Sequence, residues 1–115
     1  MWSLGCILVE LITGAPIFEG EDELDQMAVI IELLGMPSTE FIENGTRSKR
    51  FFSSKGHPRY CTQTTLGDGT IVLGNSVTKL GKVRGLPGSK PWWDIKNKVR
   101  FFLAYYVFIC LKSNF

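Results

Sequence analysis

The sequence predicts a mainly α-helical fold with one small β-hairpin, and three patterns support this prediction. Apolar residues repeat with helical spacing in two runs, over residues 2–12 and 24–34. A third pattern lies at residues 60–73, where a Thr-rich segment and an aliphatic segment flank a Gly-Asp-Gly turn. The chain has 115 residues, 44% apolar and 21% charged, which is the composition of an ordinary globular chain of at most one domain.

The first helix is expected to be apolar around almost its whole circumference. From Leu4 onward, its apolar side chains are Ile7, Leu8, Leu11 and Ile12, with Trp2, Cys6 and Val9 between them. A helix of this kind is usually buried in the middle of a larger protein. Gly14 and Pro16 supply the signals that end it.

The second helix is expected to begin in the acidic segment 19–25 and to end at Gly35 and Pro37. Negative charge at a helix start is favoured by the helix macrodipole, so we interpret these carboxylates as solvated groups rather than a metal or acid–base site. The predicted buried face consists of Leu24, Met27, Ala28 and Ile31, widened by Ile30, Leu33 and Leu34. Ser38 is a candidate cap for a short third helix that extends through Ile42.

Beyond Asn44 the chain is rich in Gly, Ser, Lys and Arg, which predicts a long surface segment rather than a core. Within it, residues 60–66 and 70–73 are the two strands of the predicted hairpin. Residues 81–91 are predicted to form a loop.

Charge is strongly segregated along the chain. Residues 1–46 contain nine acidic and no basic side chains, whereas residues 47–115 contain thirteen basic and two acidic ones. This pattern suggests an acidic partner or a piece of a larger protein. Arg and Lys mix with Phe over residues 47–59, but no RNP, KH or zinc-finger pattern supports a specific nucleic-acid site. The apolar run 101–111 is too short to span a membrane. Because basic residues flank it, a helix that lies on a membrane surface stays an alternative.

No residue is assigned a catalytic, cofactor-binding or metal-binding role from motifs. HExxH, GxSxG, P-loop and GxGxxG patterns do not occur, and His57 is interpreted as a solvated loop residue. Cys6, Cys61 and Cys110 are far apart, without the spacing of a disulfide framework or a zinc site. We therefore expect a reducing, intracellular location, in the cytoplasm, the nucleus or both.

Several segments of the N-terminal half resemble the C-terminal lobe of eukaryotic protein kinases. Residues 2–11 (WSLGCILVEL) are similar to the central buried helix of that lobe, which usually opens with D-x-W-S-x-G. Residues 13–18 (TGAPIF), 21–23 (EDE) and 31–37 (IELLGMP) resemble the next helix in the CMGC group of kinases. The resemblance implies that the chain is a partial kinase C-lobe, which is an incomplete domain.

The basic half narrows the resemblance to one family. Residues 53–62 (SSKGHPRYCT), 64–69 (TTLGDG) and 82–85 (KVRG) are similar to the insert of the dual-specificity tyrosine-regulated kinases, the DYRK family. The match covers roughly residues 1–93. It implies two core helices within 1–36, an insert over 37–93, and an unmatched apolar and basic tail over 94–115.

The resemblance implies a parent kinase that uses ATP and Mg²⁺ to phosphorylate Ser, Thr or Tyr hydroxyls of proteins. Phosphoryl transfer needs a Gly-rich loop, a strand lysine, an HRD base and a DFG metal ligand, and none of these occurs in the sequence. We therefore expect the chain to be inactive alone and to hold no cofactor or metal. Glu10 matches a position at which related kinases present a carboxylate to a basic substrate side chain.

Two other functions stay open. One is a non-catalytic interaction module or decoy that binds protein substrates or regulators of the parent kinase through the insert. The other is a basic binder of nucleic acid or membrane surfaces through residues 47–112. A central kinase helix without its covering helices would also leave a large apolar surface, which favours instability or aggregation.

Overall fold

The computed structural model describes residues 1–90, 109 and 111–113. The described helices are α1 (Trp2–Thr13), α2 (Glu23–Leu34), α3 (Thr39–Asn44) and α4 (Ser48–Phe51). The described strands are β1 (Thr62–Thr65), β2 (Ile71–Gly74), β3 (Ser76–Val77) and β4 (Val83–Arg84). Met1–Glu19 belongs to one compact unit and Gly20–Ser89 forms another. Most of the predicted tail 94–115 lies outside the described residues.

Helix α1 ends where the sequence predicts. Gly14 adopts a left-handed conformation with φ 78°, and its N–H donates to the Glu10 carbonyl at 2.8 Å. At the start of the helix, Trp2 stacks on Phe18 with ring centroids 5.5 Å apart. Gly5 and Val9 are the buried residues of α1.

One face of α1 is exposed in this chain. Leu4, Ile7 and Leu11, which are three or four residues apart, are 50%, 51% and 76% exposed. Their exposure agrees with the expectation that a central kinase helix leaves an apolar surface when it stands alone. Aggregation of the chain stays a prediction.

Helix α2 is closed at both ends by hydrogen bonds. The Asp22 side chain accepts from the Asp25 N–H at 2.8 Å as an N-cap. At the other end the Ile31 carbonyl accepts two backbone N–H groups, from Gly35 at 2.8 Å and from Gly88 at 3.0 Å. The second bond joins the end of α2 to the chain that follows β4.

Helix α2 supplies most of the core of the unit 20–89. Its buried side chains are Asp25, Ala28, Val29, Ile31, Leu33 and Leu34. The predicted face was wrong at Leu24, which is 39% exposed, and it omitted Val29, which is buried. The reason is that Asp25, the next residue, is turned inward to an ion pair.

The segment after Asn44 is not only a surface excursion. It forms α4 and contributes buried Phe52, Pro58 and Cys61, and α2 packs against α4 and β4. These apolar residues are isolated in the sequence, so no periodicity marks them as core. Burial is decided here by contact with α2, which the local pattern does not record.

The predicted hairpin is confirmed, and a second small sheet is found. β1 pairs antiparallel with β2, with Thr62 opposite Gly74 and Thr65 opposite Ile71. β3 pairs antiparallel with β4, and β4 lies within residues 81–91, which were predicted to form a loop. The helices and two small antiparallel sheets are compatible with a partial kinase-like fragment. No helix among the described residues is long and apolar enough to cross a membrane.

Gly35 is expected to tolerate substitution poorly because of its backbone conformation. Its φ of 82° and ψ of −177° lie in a region that is essentially restricted to glycine. Gly35→Ala should therefore lower the free energy of unfolding by about 1–3 kcal/mol in urea titrations followed by far-UV circular dichroism. Gly67→Ala is the matched control, because a Cβ there meets nothing within 4 Å. Equal effects of the two substitutions would contradict this account of the α2 terminus.

Candidate functional site

A polar junction joins α2 to the β3–β4 hairpin and is the most organised group of charged residues in the unit 20–89. We define it by six residues: Glu21, Asp25, Glu32, Thr78, Arg84 and Gly85. Three belong to α2 or to its entry, and three belong to the hairpin or to its exit. Each hydrogen-bonded pair between the two groups is separated by more than fifty positions in the sequence.

The centre of the polar junction is a bidentate ion pair. Arg84 Nε donates to Asp25 Oδ1 at 2.7 Å, and Arg84 Nη2 donates to Asp25 Oδ2 at 2.9 Å. The Asp25 carboxylate also accepts the Glu21 backbone N–H at 2.8 Å. The side chains of Arg84 and Asp25 are only 12% and 8% exposed, so the pair is largely removed from solvent.

The ionisation of both partners follows from this geometry. Hydrogen bonding from Arg84 lowers the pKa of Asp25, against an opposing contribution from burial. The same bond raises the pKa of Arg84. Both groups are therefore charged at neutral pH, and each would be a costly buried charge without the other.

Next to the ion pair, Gly85 is held by two side chains. Glu32 accepts the Gly85 N–H, and the Tyr60 hydroxyl donates to the Gly85 carbonyl at 2.8 Å. Burial is the main cause that raises the pKa of Tyr60, so its hydroxyl stays protonated and remains a donor. These bonds fix the chain immediately after β4.

Thr78 closes the other side of the polar junction. Its hydroxyl donates to Glu21 Oε1 at 2.8 Å and accepts the Lys82 N–H at 3.0 Å. The Thr78 N–H donates to the Lys82 carbonyl at 2.8 Å, which closes the hairpin loop. A single hydroxyl thus links the loop to the start of α2.

A second ionic contact lies at the exposed start of α2. Glu23 pairs with Arg47 at 2.7 Å and with Arg50 at 3.0 Å. The hydrogen bond from Arg47 lowers the pKa of Glu23. The prediction that the acidic segment is solvated was therefore wrong for Asp25, which is buried against Arg84. Glu23 is solvated as predicted, at 51% exposed, although it also pairs with arginines that are distant in sequence.

A cleft of about 220 Å³ lies beside the polar junction. Leu24, Tyr60, Thr78 and Lys79 are among the residues that line it. The described residues contain no group of three or more His, Cys, Asp or Glu side chains that could hold a metal ion. The described lining offers charged groups and hydrogen-bonding groups for binding.

The residues that the sequence singled out are not members of the polar junction. Glu10 is exposed on α1, in the other compact unit. His57 is half-buried, and its backbone exchanges hydrogen bonds with Ser53. Cys6 and Cys61 are free, and burial raises the pKa of each thiol, which makes both poor nucleophiles.

Sequence reasoning missed Arg84 and misinterpreted Asp25. No local pattern distinguishes Asp25 from the four other acidic residues of the segment 19–25. The available signal was the segregation of charge, since an acidic half and a basic half of one chain are suited to pair. The segregation of charge indicates that acidic and basic side chains form ion pairs, but it does not identify which residues pair.

Removal of one partner of the buried ion pair should destabilise the fold strongly. We expect Asp25→Leu to cost about 3–5 kcal/mol of unfolding free energy, because Arg84 is left buried and unpaired. Adding Arg84→Met should recover most of that loss. Glu23→Gln, at an exposed pair, is the control and should have a much smaller effect. Urea denaturation of four variants measures this: Asp25→Leu, Arg84→Met, the double variant and Glu23→Gln. Additive effects of Asp25→Leu and Arg84→Met would contradict the account.

The ion pair should also make stability depend on acid. Because the pKa of folded Asp25 lies below its usual 3.8, its contribution is complete above that pH and is lost as the pH falls toward the folded value. The free energy of unfolding should therefore decrease more steeply below pH 3.8 in the native chain than in Asp25→Leu/Arg84→Met. Parallel curves for the two proteins would exclude this contribution from Asp25.

Comparison with known proteins gives a consistent set of relatives. No protein-family model matches the chain. It is 56% identical over 92 residues to dual specificity tyrosine-phosphorylation-regulated kinase mbk-2 of Caenorhabditis elegans, which is 80% of this chain and 11% of that protein. It is 55% identical over 92 residues to human dual specificity tyrosine-phosphorylation-regulated kinase 3, again 80% of this chain and 16% of the relative.

A third relative is the putative Drosophila melanogaster homologue of kinase 3, 56% identical over 90 residues, or 78% of this chain and 11% of the relative. The chain therefore spans between 11% and 16% of the length of these curated relatives. The resemblance inferred from residues 1–93 is confirmed. The chain belongs to the dual-specificity tyrosine-phosphorylation-regulated kinase family and corresponds to a fragment of such a kinase.

Proposed function

We propose that this chain supplies a non-catalytic part of the C-terminal lobe of a dual-specificity protein kinase. The whole kinase would transfer the γ-phosphoryl group of ATP, with Mg²⁺, to Ser, Thr or Tyr hydroxyls of proteins. The observation that carries the proposal is 55–56% identity to such kinases over 80% of the chain. The chain's own contribution would be structural support and contact with other proteins.

The geometry of the unit 20–89 supports a fold-supporting role for the insert. Helix α2 is one of the two predicted C-lobe helices, and the insert returns to it through the buried Asp25–Arg84 pair. The Ile31 carbonyl at the end of α2 also accepts a hydrogen bond from the Gly88 N–H. The insert thus covers α2 and closes its C-terminal end.

The sequence motifs support the proposal that the chain alone does not transfer phosphate. Phosphoryl transfer depends on groups that position the nucleotide and neutralise its charge. The Gly-rich loop, strand lysine, HRD and DFG motifs do not occur in the 115 residues. ATP and Mg²⁺ are accordingly assigned to the whole kinase.

Glu10 remains the proposed substrate contact. Its carboxylate is exposed on α1, and the matching position in related kinases faces a basic substrate side chain. A carboxylate–guanidinium pair would suit that contact because both hydrogen bonds are charge-assisted.

The alternative of a basic nucleic-acid or membrane-surface binder is less well supported. Arg47, Arg50 and Arg84 pair with carboxylates of this chain, and Arg59 Nε donates to the Lys49 carbonyl at 2.7 Å. Arginines held in this way release less energy on phosphate binding, because their present contacts must be lost. An intracellular location in the cytoplasm or nucleus belongs to the main proposal.

Nucleotide titration tests the proposed lack of activity. Calorimetric titration of the purified 115-residue chain with Mg-ATP should give no saturable binding, and incubation with a generic protein substrate should give no phosphorylation. Full-length human kinase 3, assayed in parallel, is the positive control. Saturable Mg-ATP binding by the chain would overturn the proposal.

A further inference from the structure

We propose that Asn44 is a site of spontaneous chemical modification, at which the asparagine converts to aspartate or isoaspartate in the folded chain. The co-reactant is water, and ammonia is released. This inference concerns the chemistry of the Asn44–Gly45 peptide and does not depend on the kinase role proposed above.

The reaction is an intramolecular acyl transfer followed by hydrolysis. The backbone nitrogen of Gly45 loses its proton and attacks Cγ of the Asn44 side chain, and the side-chain nitrogen leaves as ammonia. Water then opens the resulting five-membered succinimide at either of its two carbonyl carbons. One opening leaves aspartate at position 44, and the other leaves isoaspartate, in which the main chain runs through the former side chain.

Glycine after asparagine removes the main steric barrier to this attack. A side chain on the following residue would crowd the attacking nitrogen and restrict the backbone, and Gly45 has no Cβ. The other three asparagines of the chain precede residues with side chains, which are Ser76, Lys98 and Phe115. The sequence therefore makes Asn44 the most reactive asparagine of the chain.

The local structure holds the attacking nitrogen weakly. Asn44 is the last residue of α3, and the Gly45 N–H donates to the Ile42 carbonyl at 3.4 Å. The corresponding bonds at the ends of α1 and α2, donated by Gly14 and Gly35, are both 2.8 Å long. A distance of 3.4 Å lies beyond the usual range of an N–H···O hydrogen bond. Release of the Gly45 nitrogen therefore costs little.

Helix α3 is also easy to open at its end. Attack on the side chain requires Asn44 to leave the helical backbone conformation, whereas Gly45 is already extended, with φ −73° and ψ 127°. The helix has six residues and none of them is buried, so neither its length nor its packing resists fraying. Asn44 and Gly45 line a surface cavity, and water therefore has access to the succinimide.

The fold gives a reason for the presence of this reactive pair. A Cβ at position 45 would collide with Ser48 Oγ, in the first turn of α4. The close turn from α3 into α4 therefore favours glycine at position 45. The same glycine that permits the turn exposes Asn44 to attack.

Asn75 provides a contrast within the same chain. It is exposed like Asn44, but its carbonyl accepts the Thr62 hydroxyl at 3.0 Å. The following residue, Ser76, belongs to β3, which pairs with β4. Reaction at Asn75 would require the sheet to open, so we expect the fold to protect Asn75 and not Asn44.

The product carries a charge that is unfavourable in α3. A new carboxylate at position 44 lies at the C-terminal end of the helix, where the macrodipole disfavours negative charge. It also adds to the carboxylates of Glu40 and Glu43. The net charge of +2 falls by one, which allows modified and unmodified chains to be separated by ion exchange.

Ageing of the purified protein tests the inference. The full 115-residue chain would be incubated at mildly alkaline pH and sampled over days by cation-exchange chromatography and mass spectrometry. Cleavage after Glu43 by a Glu-specific protease releases a peptide that begins at residue 44. We expect a more acidic species, in which the mass change from amide to carboxylic acid lies at residue 44. Isoaspartate and aspartate should both be present, because both openings of the succinimide occur.

Two variants locate the reaction. Asn44→Gln should abolish the acidic species, because its longer side chain would have to form a less favourable six-membered ring. Asn75→Gln is the matched control and should leave the rate of formation unchanged.

Comparison with the unfolded chain tests the structural part of the inference. Guanidinium chloride should accelerate the reaction at Asn44 by less than about tenfold, because the end of α3 opens at little cost in the native chain. The reaction at Asn75 should accelerate by a larger factor. The absence of this contrast, no modification of Asn44 in buffer, or aspartate without isoaspartate would overturn the inference. These results are independent of the Mg-ATP titration, so failure of either proposal is recognised separately.

Discussion

The buried pair of Asp25 and Arg84 is the interaction on which the arrangement of residues 20–89 depends. Two charges that are 8% and 12% exposed must stay together, because separation would leave either one desolvated and unpaired. This requirement holds β4 against α2. Leu24, the neighbour of Asp25 on α2, is left partly exposed.

The same constraint explains the uneven distribution of charge along the chain. The acidic half and the basic half are separate in sequence but meet in space, through Asp25 with Arg84 and through Glu23 with Arg47 and Arg50. Part of the segregation of charge is therefore explained by ion pairs between the two halves of the chain. The family relationship adds that α2 and the segment that returns to it correspond to part of a dual-specificity kinase.

Local chemistry was sufficient to predict the ends of the elements. Gly14 and Gly35 end α1 and α2, Ser38 caps α3, and the Gly-Asp-Gly turn joins β1 to β2, as expected. These features depend on backbone conformation and on near neighbours, which a sequence displays directly. The family was also identified correctly from short motifs of the insert.

What could not be predicted depends on contacts between distant residues. The strand β4 exists because Arg84 reaches Asp25, and Cys61 is buried although its neighbours in sequence give no apolar period. The candidate site was missed for this reason, since its hydrogen-bonded partners are more than fifty positions apart in the sequence. Glu10, the one site residue named from sequence, rests on resemblance to related kinases, and its role stays a prediction.

Hydrogen exchange by NMR at neutral pH tests most directly whether the ion pair makes α2 and the hairpin one folded unit. The decisive amides are those of Gly85, Gly88 and Thr78, which donate to Glu32, Ile31 and Lys82. If the account is correct, they exchange as slowly as the amides of α2. Exchange of these three at the rate of an unstructured loop, while α2 stays protected, would contradict it.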